Sequence, residues 1–113
     1  MFEITNEYGI KVNSNGKSGR LKLHMHASFM ASGTPIDSAF ISIKQMPVGD
    51  IYGVEVGQIN MGLFGAESRN SGTIDVIVEY NDGDIFYVYG GAYGTTVTLL
   101  ASLNRTLLLM EEI

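Results

Sequence analysis

Thr73 to Tyr80 reads TIDVIVEY, Asn81 to Asp84 reads NDGD, and Ile85 to Tyr89 reads IFYVY. Ile74, Val76, Val78 and Tyr80 recur at every second position, the spacing of a strand with one buried and one wet face. Asn-Asp-Gly favours positive φ and predicts a hairpin turn between two strands. Ile85 to Tyr89 is apolar or aromatic on both faces, so it should be central or covered on both sides. After the glycine-rich step Gly90 to Gly94, the leucine-rich segment predicts a helix running to the C-terminus. At about 100° per residue, Leu99, Leu100, Leu103, Leu107 and Met110 share an arc that should pack on the sheet. Val97, Ala101 and Leu108 form a second apolar stripe, as on a helix covered by another surface: a second copy, a partner, or a loop of the same chain. Glu111 and Glu112 oppose the helix dipole, so the last turn should fray.

The upstream segments extend the sheet. Phe2 to Val12 reads as a first strand interrupted near Gly9, and Asn13 to Gly19 as a hairpin loop. Leu21, Leu23, Met25, Ala27 and Phe29 alternate with Lys22, His24, His26 and Ser28, the pattern of an amphipathic strand. Ala39 to Met46 and Ile51 to Ile59 are further strands, joined by the turn Pro47 to Asp50. Gly53 and Gly57 predict a bulge or a close backbone approach. The expected fold is α+β: a predominantly antiparallel sheet or partly open barrel of about six strands, with one C-terminal helix packed on it.

With 113 residues the chain has the size of a single domain, spanning 1–113, and nothing in it reads as a linker or repeat. Seven basic against twelve acidic residues, a net charge of −5, argue against direct binding to nucleic acid or an anionic membrane. The absence of cysteine excludes disulfides, thiol catalysis and thiolate metal sites. Met1 to Glu7 has neither the basic nor the apolar region of a signal peptide, so a cytoplasmic protein is expected.

Chemistry-bearing motifs are sparse. His24 and His26 share a strand face and could hold a metal given a third ligand, which the spacing does not identify; polar residues on a wet face are the preferred reading. Asp82-Gly83-Asp84 lacks the twelfth-position glutamate of a calcium loop, since Tyr93 and Thr95 stand there. Gly90 to Thr96 would precede a helix and offer amides to an anion, but matches neither a dinucleotide-binding nor a P-loop pattern. No nucleophile elbow is present, Glu55, Asp75 and Glu79 fall on strands, and neither a catalytic residue nor a cofactor is assigned. Met61-Gly62-Leu63-Phe64 looks like an apolar loop, either tucked under the sheet or presented as a binding tip.

The strand at Asp50 to Val56, the glycine-rich segment Gly62 to Gly72, the Asp82-Gly83 turn and the terminal helix resemble small bacterial pleckstrin-homology-like domains. The resemblance covers about two thirds of the chain as a pattern of elements. It implies a scaffold for protein contacts. The chain departs in showing six readable strands where that fold has seven, and it lacks a basic lipid-binding loop, so phosphoinositide binding is not implied.

The expected function is a non-enzymatic protein–protein interaction module, a homodimer contacting its partner through Met61, Leu63, Phe64, Val97, Ala101 and Leu108. One alternative is a small acidic inhibitor, of phage or mobile-element type, aimed at a host nuclease or defence protein. Its mark would be Glu55, Glu67, Asp75, Glu79, Asp82 and Asp84 gathered on one face. The other alternative is a metal- or small-ligand-binding protein built on His24 and His26.

Overall fold

A computed structural model describes residues 1–5, 9–31, 36–63, 69–93, 97–99 and 107–113. Among these residues every regular element is a strand: β1 (Phe2–Thr5), β2 (Gly9–Val12), β3 (Gly19–Ala31), β4 (Ile36–Met46), β5 (Val54–Leu63), β6 (Arg69–Tyr80), β7 (Ile85–Tyr93), β8 (Val97–Leu99) and β9 (Leu107–Glu112). They form two antiparallel sheets. One has five strands in the order β1-β2-β7-β4-β5; the other has β6, β3 and β8 in order, with β9 also paired to β3.

The expected C-terminal helix is therefore corrected to strand. β8 pairs with Phe29 to Ala31 and β9 with Leu21 to His26, both along the same β3. An all-apolar run such as Leu107 to Met110 fits a period of two as well as 3.6. The edge of β3 supplies what local spacing does not, a row of backbone donors and acceptors needing partners. In the strand, Leu108 and Met110 pack against the core while Leu109 and Glu111 face out. Among the described residues, the terminal helix that contributed to the pleckstrin-homology-like resemblance is not formed.

The Asn81 to Asp84 turn is a second correction. Gly83 does take φ +87, as the sequence requires. Yet β6 and β7 lie in different sheets, so the turn is a corner between layers and not a hairpin. Asn13 to Ser18 likewise carries the chain from β2 in one sheet to β3 in the other. Residues 47–53 do form a hairpin connection, because β4 and β5 are paired. Their ladder shifts register between Ile43 and Lys44, opposite Gly57 and Glu55, which accounts for the bulge expected there.

The core lies between the sheets. β3 contributes Leu21, Leu23, Met25 and Ala27, β6 contributes Ile74 and Tyr80, and the five-stranded sheet contributes Val12, Ile41, Ile43, Ile59 and Phe86. The period-two reading of β3 and β6 thus holds at each of these positions. One end is pinned by polar contacts. The Gln45 side-chain amide donates to the carbonyl of Glu79 and to the carboxylate of buried Asp84, both at 2.8 Å, linking β4 to the β6–β7 corner. Asp84 also accepts from the Asn81 amide at 2.9 Å, while its carbonyl accepts from the Val12 amide at 2.9 Å.

Candidate interaction surface

The outer face of the five-stranded sheet is built by register. Phe40, Ser42 and Lys44 project from β4, the strand between β7 and β5. Opposite them on β7 stand Gly91, Tyr89 and Tyr87. On β5 the corresponding partners are Asn60, Gln58 and Glu55. Directly paired residues share a face, so these nine positions make a three-by-three grid.

Two clusters occupy the grid. At its centre Ser42 is fully buried although it belongs to the outer face. Its hydroxyl donates to the Glu55 carboxylate and accepts a long contact, 3.5 Å, from the Gln58 amide. Asn60 in turn donates to the Gln58 carbonyl oxygen at 2.9 Å. On the same face the Tyr89 ring lies 5.9 Å from that of Phe40, tilted by 42°, and the Lys44 ammonium sits 4.4 Å from the Tyr89 centroid. Tilted ring pairs and a cation over a tyrosine face are both attractive. Tyr89 remains 49% exposed, so a held aromatic ring is presented to solvent.

The outer face of the other sheet carries the histidines. His24 is paired with Asp75, Nδ1 to Oδ1 at 2.5 Å, and His26 Nδ1 lies 3.3 Å from the Thr73 hydroxyl. Their common face is as the alternation predicts. Among the described residues, no group of three or more His, Cys, Asp or Glu side chains is arranged to hold a metal ion.

The acidic residues do not share a surface. Glu55 lies on the five-stranded sheet and Asp75 and Glu79 on the other, while Asp84 is buried in the corner. Asp82 accepts from the Ser14 amide at 2.7 Å. The Ser14 and Gly16 amides hold its carboxyl below the usual aspartate range. Glu67 lies outside the described residues. No close carboxylate pair for acid–base chemistry arises from Asp75 and Glu79, which stand about 13 Å apart along one strand.

The expected interface residues are scattered. Met61 and Leu63 belong to β5, where their backbones pair with Ala39 and Ile36, so this stretch is strand and not a loop tip. Val97 starts β8, and Leu108 is half-buried on β9 against the core. Phe64 and Ala101 lie outside the described residues. Gly90 and Gly91 pair with Ile41 and Phe40 inside β7, which spends that part of the glycine-rich step on the sheet. The grid itself escapes a linear reading, because it joins three strands whose order is not sequential. Its only local signal is the run Tyr87, Val88, Tyr89.

Among the described residues no helix is long and apolar enough to cross a membrane. No protein-family profile matches the sequence, and no curated protein does. Among solved structures, the chain is similar to the Eiger TNF of S. frugiperda, with a TM-score of 0.80 and 12% identity, over 99% of this chain and 68% of that one. At that identity the likeness establishes the fold, a TNF-like β-sandwich.

Proposed function

We propose that the chain is a non-enzymatic protein-interaction module that self-associates through the outer face of its five-stranded sheet. The observation that carries this reading is Tyr89, half exposed yet held between the Phe40 ring and the Lys44 ammonium. A ring ordered before contact loses little side-chain freedom on binding, which is why tyrosines anchor protein interfaces. Buried Ser42, the cross-strand neighbour of Tyr89, is hydrogen-bonded to Glu55 and Gln58 in the same patch. Lys44 and Glu55 supply both signs of charge within one patch, as a two-fold contact between identical surfaces requires. The reading replaces the helix stripe with a sheet face and keeps the homodimer.

Light scattering on the purified chain tests it. The expected result is a dimer that Tyr89→Arg converts to monomer without loss of the β circular-dichroism signal. A wild-type monomer, or a dimer indifferent to Tyr89→Arg, overturns this use of the face.

A further inference from the structure

His24 and His26 project from the outer face of β3, and each is tied to the residue opposite it on β6. His24 Nδ1 lies 2.5 Å from the Asp75 carboxylate, and His26 Nδ1 lies 3.3 Å from the Thr73 hydroxyl. An ionised carboxylate only accepts, so the proton of the first bond sits on His24 Nδ1, and in the neutral ring the lone pair is then on Nε2. The Thr73 hydroxyl, accepting in the same way, gives His26 the same tautomer. Among the described residues neither Nε2 has a hydrogen-bond partner.

An Nδ1–H given to a neighbouring oxygen, with Nε2 left over, is the arrangement that prepares a histidine to bind a metal. The outer bond fixes the tautomer and the ring orientation and makes Nε2 a better donor. Here it recurs on both rings of one His-x-His pair. An ion pair alone accounts for His24 and Asp75, but not for the same use of Nδ1 in His26, whose partner is uncharged. The spacing lets both rings reach one ion. Residues two apart on a strand stand about 7 Å apart, while nitrogens in adjacent positions on one ion, at bonds of about 2.0 Å, lie about 3 Å apart. Each ring therefore has to lean about 2 Å along the strand.

The donor set selects the ion. The chain has no cysteine, and among the described residues no third His, Asp or Glu completes a group around the pair. Zinc takes four protein ligands in structural sites and three in catalytic ones, and calcium and magnesium take oxygens. Two neutral imidazoles suit copper(II), which binds nitrogen ligands most strongly among the divalent first-row metals and accepts a tetragonal site completed by water. Leu109, opposite His24 on β9 and exposed, adds no ligand from that side.

We propose that His24 and His26 form a two-imidazole site for copper(II) on the outer face of the four-stranded sheet, with Asp75 and Thr73 as positioning residues. The site lies on the opposite sheet from Tyr89 and does not depend on self-association.

The probe is copper(II) iminodiacetate, whose chelator fills three positions and leaves room for two imidazoles. The full chain should take up one equivalent at micromolar concentration, with electron spin-echo modulation from two imidazole rings. His24→Gln and His26→Gln should each weaken uptake about tenfold or more, since each removes the chelate, and circular dichroism checks that the sheets remain. Asp75→Asn keeps both ligands and should weaken uptake about tenfold through the orientation of His24. Tyr89→Arg should leave it unchanged. No uptake at about 100 μM overturns the proposal, as does uptake that survives either histidine substitution, or tighter binding of zinc(II) than of copper(II). Uptake indifferent to Asp75→Asn overturns the positioning role. Two chains per ion in light scattering would place the two imidazoles on different copies, and that also overturns the site.

Discussion

A Cβ on Gly57 would stand 2.6 Å from the Cγ2 methyl of Ile74, well inside van der Waals contact. The relation is reciprocated by Ile59 and Gly72, so β5 and β6 close one side of the sandwich as two knobs in two holes. Gly57→Ala should therefore cost about 1–3 kcal/mol, the range for overfilling a packed core. Urea unfolding measures the loss. In the double variant with Ile74→Ala the cost should fall short of the sum of the singles, because the added methyl enters the space that Ile74 vacates.

The Asp84 carboxylate, buried at the β6–β7 corner, accepts from both the Gln45 side chain and the Asn81 amide. Asp84→Ala strands these donors and should destabilise the fold by about 1–3 kcal/mol in denaturant titration. Gln45→Ala should cost less once Asp84 is already alanine, since the two side chains act on one bond.

Opposite ends of the pH scale should act on different groups. Asp82 has its folded pKa depressed by the Ser14 and Gly16 amides. Its stabilising contribution is present above the ordinary aspartate pKa and is lost as pH falls through the lower, folded value. Asp82→Asn should flatten this acid limb, and the Ser14 amide shift should report the titration. Tyr80 has its pKa raised, first by burial and then by Glu112, 3.4 Å from its hydroxyl. Its contribution is present below the ordinary tyrosine pKa and is lost as pH rises through the higher, folded value. Tyr80→Phe should remove that alkaline limb of a thermal-melt series.

Legibility in the sequence followed the range of the interactions. Leu21, Leu23, Met25 and Ala27 against Lys22, His24 and His26 announce an amphipathic strand, because burial on one face needs only period two. Ile85 to Tyr89 announces a strand either central or covered on both faces, and β7 is central, between β2 and β4, with Val88 and Tyr89 still exposed. Leu107 to Met110 misleads because an unbroken apolar run carries no period of its own; the edge of β3 decides it, more than eighty residues earlier in the chain. Asn81 to Asp84 signals a turn correctly, but its local chemistry is silent on whether the flanking strands pair. The Phe40, Ser42 and Tyr89 grouping depends entirely on β4 lying between β7 and β5, an order that no local signal encodes.

β3 takes its two neighbours from far downstream, residues 69–80 on one edge and 97–99 and 107–112 on the other. During vectorial synthesis its apolar face therefore leaves the ribosome well before either neighbour exists. Sheets closed by such distant pairings form slowly, and unpaired edges invite association with other chains. The nascent protein consequently has an interval of vulnerability, set by translation speed, that ends only when residues 107–112 emerge to close the second edge of β3.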